Sequence, residues 1–276
     1  MRNSVSRYAV LGSPVAHSKS PRIHAAFAAE TNQQLDYTAV EVTGENFNAF
    51  AEDFFAKGGA GLNITVPHKE KAFKISNSCS ERAMLAKAVN TLLLDKDKRI
   101  YGDNTDGIGL LRDLQNNHEL SINNKNILIL GAGGAVRGVL ATLALEDVSS
   151  ITIANRTIAK AKLLCEEFSA YAEVMATGYD ELGLTKFDLI INGTSMGLSG
   201  ETPALSQSVL ADQCCCYDMM YGNEETAFVK WAKNNGANQA VDGLGMLVEQ
   251  AAEAFYLWRE VRPDTAAVIA ELRTLG

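Results

Sequence analysis

Hydrophobic and polar positions along the chain follow two alternating periods. Short apolar runs such as Asn126–Leu130 and Ile151–Ala154 predict buried strands. Most of them are followed by a longer segment in which apolar residues recur at helical spacing. Regular alternation of strands and helices is typical of proteins whose sheets are mostly parallel. The pattern therefore predicts an α/β fold.

In the first half of the chain the pattern predicts four strands, at Tyr8–Leu11, Tyr37–Val42, Gly61–Val66 and Val89–Leu94. It predicts five helices, at Pro21–Glu30, Asn46–Lys57, Lys69–Ile75, Glu81–Ala86 and Asp106–Gln115. Ser20 precedes a proline, so it is expected to cap its helix. In the strand Gly61–Val66, Asn63 and Thr65 should share one face.

The second half begins after a polar loop, Asn116–Asn126. Strands are predicted at Asn126–Leu130, Ile151–Ala154, Asp188–Asn192, Cys215–Met219 and Gln239–Val241. Helices are predicted at Val136–Leu145, at Met246–Glu260 and after Pro263.

The strand Asn126–Leu130 runs directly into a glycine-rich turn, Gly131-Ala132-Gly133-Gly134-Ala135. Glycines let the backbone approach a pyrophosphate closely, and the following helix offers unpaired N–H groups at its N-terminus. Val136 stands where the third small residue of the motif is expected, so Gly138 should allow the close helix–sheet approach. The turn predicts a dinucleotide site, and an ordinary strand–helix–strand unit without a ligand is the alternative.

The next strand ends in Asn155-Arg156-Thr157. At this distance from the turn, NAD enzymes usually carry an acid that holds the ribose 2′-hydroxyl. Here an arginine occupies the place, and Lys160 follows one helical turn later. A positive charge suits a 2′-phosphate, so the predicted cofactor is NADP; a solvated strand-end charge is the alternative.

The chain has 276 residues, a hydrophobic fraction of 47% and a net charge of −8. This length suits two domains, and the acidic balance argues against a nucleic acid or an anionic membrane as partner. No apolar run reaches the roughly 18 residues of a membrane helix, and no signal peptide is evident. We expect a cytoplasmic protein.

The cysteines and histidines do not indicate a metal or disulfide framework. The five cysteines include the run Cys214–Cys216, and none is spaced as C-x-x-C. We expect the thiols of the triple run to be buried and reduced, and the histidines at positions 17, 24, 68 and 118 to be structural or surface residues. No metal is predicted.

Because the glycine turn opens mid-chain, the leading residues should form a substrate domain. We expect this domain over residues 1–105 and a Rossmann-type nucleotide domain over 106–242, with the active site in the cleft between them.

Polar residues in the leading half gather at strand ends and helix starts, in Ser18–Ser20, Asn63–Lys69, Val89–Thr91 and Gly102–Asp106. A hydroxylated carboxylate substrate needs such fixed donors and acceptors, and a lysine beside an aspartate could transfer the proton of an alcohol. Structural explanations also exist. Ser20 and Asp106 could only cap helices, Lys69 could lie on a solvated face, and Asn63 and Thr65 could cover an exposed strand.

The combination of motifs resembles the shikimate dehydrogenase family. The resemblance rests on segments that follow the family's order over nearly the whole chain: Gly12-Ser13-Pro14, His17–Pro21, Asn63–Lys69, Ala88–Thr91, Asn104–Gly107, Gly131–Ala135, Asn155–Thr157, Asn192–Gly197, Tyr217–Tyr221, and Asp242–Leu247 with Gln250. It implies reversible, NADPH-dependent reduction of 3-dehydroshikimate to shikimate in aromatic amino-acid biosynthesis.

The resemblance also implies roles for residues of the leading half. Lys69 and Asp106 would be the catalytic pair, and Ser18 and Ser20 would hold the substrate carboxylate, with Tyr221 nearby. The substrate hydroxyls and ring would contact Asn63, Thr65, Asn90, Asp106 and Gln250. Residues 243–276 would return to the substrate domain. Asp106 favours the ammonium form of Lys69, whereas accepting a proton needs the amine, so the protonation state of Lys69 is left open.

The implied cofactor contacts are Gly131, Ala132, Gly133, Gly134, Ala135, Asn155, Arg156, Thr157, Lys160, Thr194, Ser195, Met219, Gly243 and Met246. Two positions depart from the family pattern. Gly193 replaces a frequent alanine, and Lys160 replaces a frequent arginine, which should soften the preference for NADP.

Three alternatives stay open at this point. One is a quinate/shikimate dehydrogenase that also uses NAD, and another is a non-catalytic NADP-binding regulatory module. The third is a dehydrogenase of a modified shikimate. We expect a small-molecule substrate, and a monomer or homodimer.

Overall fold

The computed structural model describes residues 5–274, apart from the side chains of residues 198 and 199. The chain divides into two compact units. The first runs to Gly109 and includes Val248–Glu271, and the second comprises Leu110–Leu247 and the chain from Leu272 on. Each unit is built of strands and helices in alternation, so the predicted α/β class is confirmed. The roles predicted for the two domains stay predictions.

The first unit contains a six-stranded mixed sheet in the order β2-β1-β3-β5-β6-β4. Strand β1 pairs in parallel with β2 and β3, and β5 is antiparallel to both β3 and β6. The strands are β1 (Ser6–Gly12), β2 (Leu35–Glu41), β3 (Gly59–Ile64), β4 (Ser78–Cys79), β5 (Thr91–Leu94) and β6 (Ile100–Asp103).

Five of the described helices alternate with these strands, and three of them begin at candidate site residues, Ser20, Lys69 and Asp106. They are α1 (Ser20–Glu30), α2 (Phe47–Ala56), α3 (Lys69–Ile75), α4 (Glu81–Ala86) and α5 (Asp106–Arg112). One core cluster, which includes Leu11, Phe47, Leu62 and Leu92, packs between the sheet and the helices. Burial of these apolar side chains fixes which faces of the strands and helices turn inward.

The second unit contains six parallel strands in the order β12-β11-β10-β7-β8-β9. The strands are β7 (Asn126–Leu130), β8 (Ser150–Ala154), β9 (Val174–Thr177), β10 (Phe187–Asn192), β11 (Leu210–Asp218) and β12 (Gln239–Asp242). The order reverses beside β7, which makes this a doubly wound Rossmann-type sheet. In such sheets ligands bind beyond the carboxyl ends of the strands at the reversal.

The remaining helices are α6 (Gly134–Leu143), α7 (Ile158–Phe168), α8 (Ala227–Asn234), α9 (Leu244–Arg259) and α10 (Ala266–Thr274). Single 3₁₀ turns lie at Tyr179–Glu181, Met196–Ser199 and Gln207–Val209, and a π-helical turn at Asp113–Asn117 extends α5. No described helix is long and apolar enough to span a membrane.

Several sequence-based element predictions need correction. Ser20 does not cap its helix: it is the first helical residue, Lys19 holds the cap position, and the Ser18 hydroxyl accepts the Ser20 N–H at 3.2 Å. The predicted loop Asn116–Asn126 begins inside the π-helical turn. The prediction missed β4, β6, β9, α7 and α8. The three strands have only 2 to 4 residues, too few to show a period.

The run Cys214–Cys216 lies in β11 with all three side chains buried, because helices cover both faces of a parallel sheet. The thiols of Cys79, Cys165 and Cys214–Cys216 are all free. The prediction that the triple run is buried is confirmed, and Cys79 and Cys165 are half-buried.

Candidate active site

Lys69 begins helix α3, directly after the segment that leaves strand β3. The preceding His68 is buried, and its Nε2 lies 2.6 Å from the carbonyl oxygen of Val42. The carbonyl of Lys69 accepts the Val89 N–H at 2.9 Å. These contacts fix the backbone from which the Lys69 ammonium group extends.

Lys69 and Asp106 form an ion pair through Nζ and Oδ2. The two side chains are only 22% and 12% exposed, so the pair is largely shielded from water. Such shielding strengthens the interaction between the charges compared with a surface pair. Lys69 is therefore not one of a row of solvated lysines.

The Asp106 carboxylate is fixed by neighbouring amides. Oδ1 of Asp106 accepts a hydrogen bond from Asn90 Nδ2 at 2.8 Å. The backbone N–H of Asp106 donates to Asn104 Oδ1 at 3.1 Å. Asn104 in turn donates to the carbonyl of Ala88 at 3.0 Å. One carboxylate oxygen thus faces Asn90 and the other faces Lys69.

Asn90 is the centre of this polar network and is 3% exposed. Its Oδ1 accepts the Thr105 N–H at 2.8 Å, and its Nδ2 also lies 3.0 Å from Thr105 Oγ1 and 3.4 Å from Gln250 Oε1. Gln250 lies on α9. A Cβ on Gly109 would lie 2.7 Å from the Gln250 backbone nitrogen, so a glycine is what allows this close packing.

An ion-pair network supports the turn before Asp106. Arg82 donates to both carboxylate oxygens of Asp103 at 2.8 Å and to Glu253 at 3.0 Å. Burial alone would lower the pKa of Arg82, but the two carboxylates outweigh it and raise the pKa above its usual range. The Asp103 carboxylate also accepts the Asn104 N–H at 2.7 Å, which orders the segment leading to Asp106.

Asn63, near the end of β3, is 6% exposed and fully oriented. Its Nδ2 donates to the Asn90 carbonyl at 3.2 Å and to Thr91 Oγ1 at 3.1 Å, and its Oδ1 accepts from the Tyr37 hydroxyl at 2.7 Å. Thr65 is half-buried, and its N–H donates to the Leu11 carbonyl at 2.9 Å. Neither Asn63 nor Thr65 covers a merely exposed strand face.

Ser18 and Ser20 lie where α1 begins. Ser20 is 8% exposed, and Ser18 is half-buried. The family resemblance predicts that both hold the substrate carboxylate. In the structure the Ser18 hydroxyl accepts the Ser20 N–H, as described above.

In the second unit the glycine turn lies at the carboxyl end of β7. Gly131 has φ +101°, which favours glycine, and its N–H donates to the Ala154 carbonyl at 2.8 Å. A Cβ on Gly133 or Gly134 would meet nothing within 4 Å. There is thus free space at the N-terminus of α6, as a bound pyrophosphate requires.

Arg156 follows the end of β8 and is exposed, like Thr157 and Lys160. Asn155 Nδ2 donates to the Thr157 carbonyl at 2.8 Å, which orders the loop into α7. Burial raises the pKa of Tyr179, and the nearby Arg156 charge partly opposes this. The loop therefore presents cationic groups at the place where a 2′-phosphate reader is expected.

The other predicted cofactor contacts lie beyond the carboxyl ends of β10, β11 and β12. Thr194 Oγ1 donates to Asn192 Oδ1 at 2.8 Å, and the Met219 N–H donates to the Asn192 carbonyl at 2.9 Å. A Cβ on Gly243 would lie 2.4 Å from the Met219 carbonyl oxygen, so only glycine fits there. Ser195 is exposed and Met246 is 8% exposed.

Tyr221 belongs to the second unit, and burial raises the pKa of its hydroxyl. The structure thus collects Lys69, Asp106, Asn63, Asn90 and Gln250 in one hydrogen-bonded network of the first unit. The cofactor candidates gather at one sheet edge of the second unit. Within the described chain, no three His, Cys, Asp or Glu residues are grouped to hold a metal.

The polar cluster Gly102–Asp106 contains Asp103 and Thr105, although the sequence gives neither of them a role. Two further residues of the network, Tyr37 and Arg82, belong to no motif, because they act from β2 and α4. Only the pairing of strands and helices in the fold shows that they reach the site.

Family models match most of the chain. Residues 10–92 match the shikimate dehydrogenase substrate binding domain, residues 113–211 match shikimate / quinate 5-dehydrogenase, and residues 243–273 match the shikimate 5′-dehydrogenase C-terminal domain. A shikimate dehydrogenase (NADP(+)) of Alkalilimnicola ehrlichii is 52% identical over 267 residues, which cover 97% of this chain and 98% of that protein.

Solved structures agree with this match. The crystal structure of an Ael1 enzyme from Pseudomonas putida has a TM-score of 0.92 at 45% identity and covers 97% of this chain and 98% of its own. Shikimate 5-dehydrogenase from Thermus thermophilus, in complex with NADP(H) and shikimate, has a TM-score of 0.86 at 31% identity, with 98% and 99% coverage.

Fold and site together define a two-unit, NADP-dependent oxidoreductase that acts on a secondary alcohol. The chain belongs to the shikimate dehydrogenase family. The predictions of this family, of NADP as cofactor and of shikimate dehydrogenase function are confirmed, and the family implies a role in aromatic biosynthesis.

Proposed function

We propose that the first unit binds the substrate, that the second binds NADP, and that Lys69 and Asp106 are the catalytic pair. The reaction is the reversible reduction of 3-dehydroshikimate to shikimate. The observation that carries this proposal is the shielded Lys69–Asp106 ion pair inside a network of fixed amides.

Lys69 is proposed to move the proton of the reacting hydroxyl. NADPH held by the second unit would supply the hydride that reduces the carbonyl carbon. Lys69 Nζ would give the carbonyl oxygen the proton that completes the alcohol, and in the direction of oxidation it would take that proton back. Asp106 holds Nζ in place, and Asn90 holds the Asp106 carboxylate in turn.

The polar residues around this pair are proposed to bind the substrate. Ser18 and Ser20 would hold the carboxylate, with Tyr221 near it. Hydroxyls and ring would contact Asn63, Thr65, Asn90, Asp106 and Gln250. Several of these side chains are fixed by hydrogen bonds within the protein before any ligand binds, which reduces the entropy that substrate binding must overcome.

The second unit fits NADP at two places. The open space over Gly133 and Gly134 suits the pyrophosphate, and the exposed cationic loop suits the 2′-phosphate. The residues proposed to hold the cofactor are Gly131, Ala132, Gly133, Gly134, Ala135, Asn155, Arg156, Thr157, Lys160, Thr194, Ser195, Met219, Gly243 and Met246.

The substitution Asp106→Asn tests the proposed pair, because it keeps the shape of the side chain and removes its charge. We expect kcat to fall by about a hundredfold, while the Kd for NADP+ is unchanged. Asp97→Asn is the matched control, since Asp97 is an exposed carboxylate of the same unit. Wild-type kcat in Asp106→Asn would remove Asp106 from the catalytic pair.

A second candidate function is oxidation of quinate as well as shikimate, with NAD as well as NADP. Lys160 favours the use of NAD, because a lysine cannot bind a phosphate with two parallel hydrogen bonds as arginine does. The match of residues 113–211 to shikimate / quinate 5-dehydrogenase favours quinate as a substrate. Steady-state kcat/KM values for both substrates with both nucleotides test it. Comparable values for NAD+ and NADP+ would establish dual cofactor use.

We further propose that the enzyme acts in the cytoplasm as a monomer or homodimer, without a nucleic-acid partner. The free thiols suit a reducing compartment, and the net charge of −8 disfavours binding to polyanions. Light scattering after size exclusion, with and without duplex DNA, tests the oligomeric state and the absence of a nucleic-acid complex.

A further inference from the structure

Tyr37 is a buried residue of β2 whose hydroxyl contacts Asn63, one of the residues proposed to bind substrate. Strand β1 lies between β2 and β3, and Tyr37 is in register with Tyr8 of β1. The Tyr37 side chain nevertheless reaches Asn63 of β3, to which its hydroxyl donates at 2.7 Å. Tyr37 therefore touches a residue proposed to bind substrate, without belonging to any motif found in the sequence.

The hydrogen bonds that Asn63 makes within the protein limit the contacts that it can offer a ligand. Both hydrogens of Nδ2 are used, one by the Asn90 carbonyl and the other by Thr91 Oγ1. Oδ1 accepts from the Tyr37 hydroxyl. It also faces the buried His24 ring: burial lowers the pKa of His24, and a hydrogen bond with the Asn63 side chain opposes this in part. Asn63 therefore has no hydrogen left to donate to a ligand, and only its oxygen can take part in a contact.

The Tyr37 hydroxyl is kept protonated, as a hydrogen-bond donor, and the ring is fixed by its neighbours. Burial raises the pKa of its hydroxyl above the usual range, and a hydrogen bond from the Ser20 hydroxyl opposes this only in part. The ring stacks on His24 at 4.2 Å between centroids with an interplanar angle of 10°. The hydroxyl is thus protonated and its ring is fixed.

We propose that Tyr37 is a positioning residue that determines specificity by locking the Asn63 amide with its carbonyl oxygen available to the substrate. A substrate group at that place must then be a hydroxyl that donates. This inference rests on the proposed substrate contact of Asn63, and it adds the requirement for a donor.

The substitution Tyr37→Phe removes the hydroxyl and keeps the ring. We expect the KM for shikimate to rise about five- to tenfold, as for the loss of one hydrogen bond, with kcat within about twofold and the KM for NADP+ unchanged. KM values do not depend on how much of the preparation is folded. The measurement therefore stays informative if the variant is less stable.

Tyr8→Phe is the matched control. Tyr8 is a buried tyrosine of the neighbouring strand, and its hydroxyl contacts Arg259 at 3.4 Å rather than a proposed substrate residue. We expect its KM for shikimate to equal that of the wild type. An equal rise in both variants would indicate general loosening of the unit and would contradict the proposal.

A double-mutant cycle with Asn63→Ala separates the positioning role of Tyr37 from the proposed substrate contact of Asn63. If Tyr37 acts through Asn63, Tyr37→Phe should raise KM in the wild-type background and add nothing in the Asn63→Ala background. A wild-type KM in Tyr37→Phe, with an impaired Asn63→Ala, would overturn the role of Tyr37 and leave the substrate site intact. A wild-type KM in Asn63→Ala would instead overturn the proposed contact of Asn63.

Substrate analogues test the requirement for a donor directly. Shikimate analogues in which one non-reacting hydroxyl is replaced by hydrogen should be discriminated against by the wild type. Tyr37→Phe should reduce that discrimination in kcat/KM several-fold for one of these hydroxyls. Unchanged discrimination at every hydroxyl would contradict the proposal.

Discussion

The side chain of Val136 occupies the space that a larger residue at Gly193 would need. A Cβ on Gly193 would lie 2.4 Å from Val136 Cγ2 and 3.2 Å from Met219 Sδ. Val136 lies in α6 directly after the glycine turn, where the motif expects a small residue, and Gly193 stands where the family resemblance implies an alanine. The two departures from the usual motifs are therefore neighbours, and the smaller residue accommodates the larger one.

Gly193→Ala should consequently destabilise the second unit. We expect a loss of about 1–3 kcal/mol from overpacking, measured by urea unfolding. In the Val136→Ala background the same substitution should cost less, because the clashing methyl group is gone and only the contact with Met219 Sδ at 3.2 Å is left. Gly197→Ala is the matched control, since a Cβ there has its nearest neighbour at 3.7 Å. Equal losses from Gly193→Ala in both backgrounds would show that the two positions are independent.

Arg156→Ala tests the reading of the 2′-phosphate. We expect the KM for NADP+ to rise at least about tenfold, because a charge-assisted hydrogen bond is lost, with little change for NAD+. Lys162→Ala is the control, since it removes an exposed charge of α7 further from the strand end. Parallel changes for both nucleotides would mean that Arg156 does not distinguish them.

His24 should make the protein less stable in acid. Its ring is completely buried among Phe27, Tyr37, Phe255 and Trp258, and burial lowers its pKa from 6.5 to about 3. Between these values the unfolded chain binds a proton that the folded protein does not. The contribution of His24 to stability is therefore full above pH 6.5 and is lost as the pH falls toward 3.

His24→Phe should remove this dependence, which amounts to at most about 1.4 kcal/mol per pH unit. Urea unfolding at several pH values between about 7.5 and about 4.5 measures it. His17→Phe is the control, because His17 is exposed and should leave the slope unchanged. A wild-type slope in His24→Phe would show that His24 is not the titrating group.

The sequence predicts this fold well where the hydrophobic period of an element agrees with a proline or glycine that bounds it. Helix α3 and strand β7 have the predicted bounds, because Pro67 precedes the first and Gly131 follows the second. The β5–β6 hairpin was half missed, because Ile100–Asp103 has no apolar run of its own. The prediction of Ser20 as the N-cap is wrong, because Ser20 is the first residue of the helix. The side chain that accepts its N–H is that of Ser18, two residues earlier.

Motifs identified the side chains at the ends of strands, but not the residues that hold them. Lys69, Asn90 and Asp106 lie in recognisable segments. Tyr37 reaches Asn63 from a strand two positions away in the sheet, and Arg82 reaches Asp103 from α4. Such contacts depend on strand order and helix packing, which no local pattern encodes.

The central claim is that Lys69 transfers the proton of the substrate hydroxyl, and Lys69→Met tests it most directly. The steady-state kcat for shikimate oxidation should be measured beside Lys74→Met, an exposed lysine of the same helix. We predict a fall in kcat of about a hundredfold or more for Lys69→Met, with the Kd for NADP+ retained, and wild-type kcat for Lys74→Met. A Lys69→Met enzyme that oxidises shikimate at the wild-type rate would contradict the account.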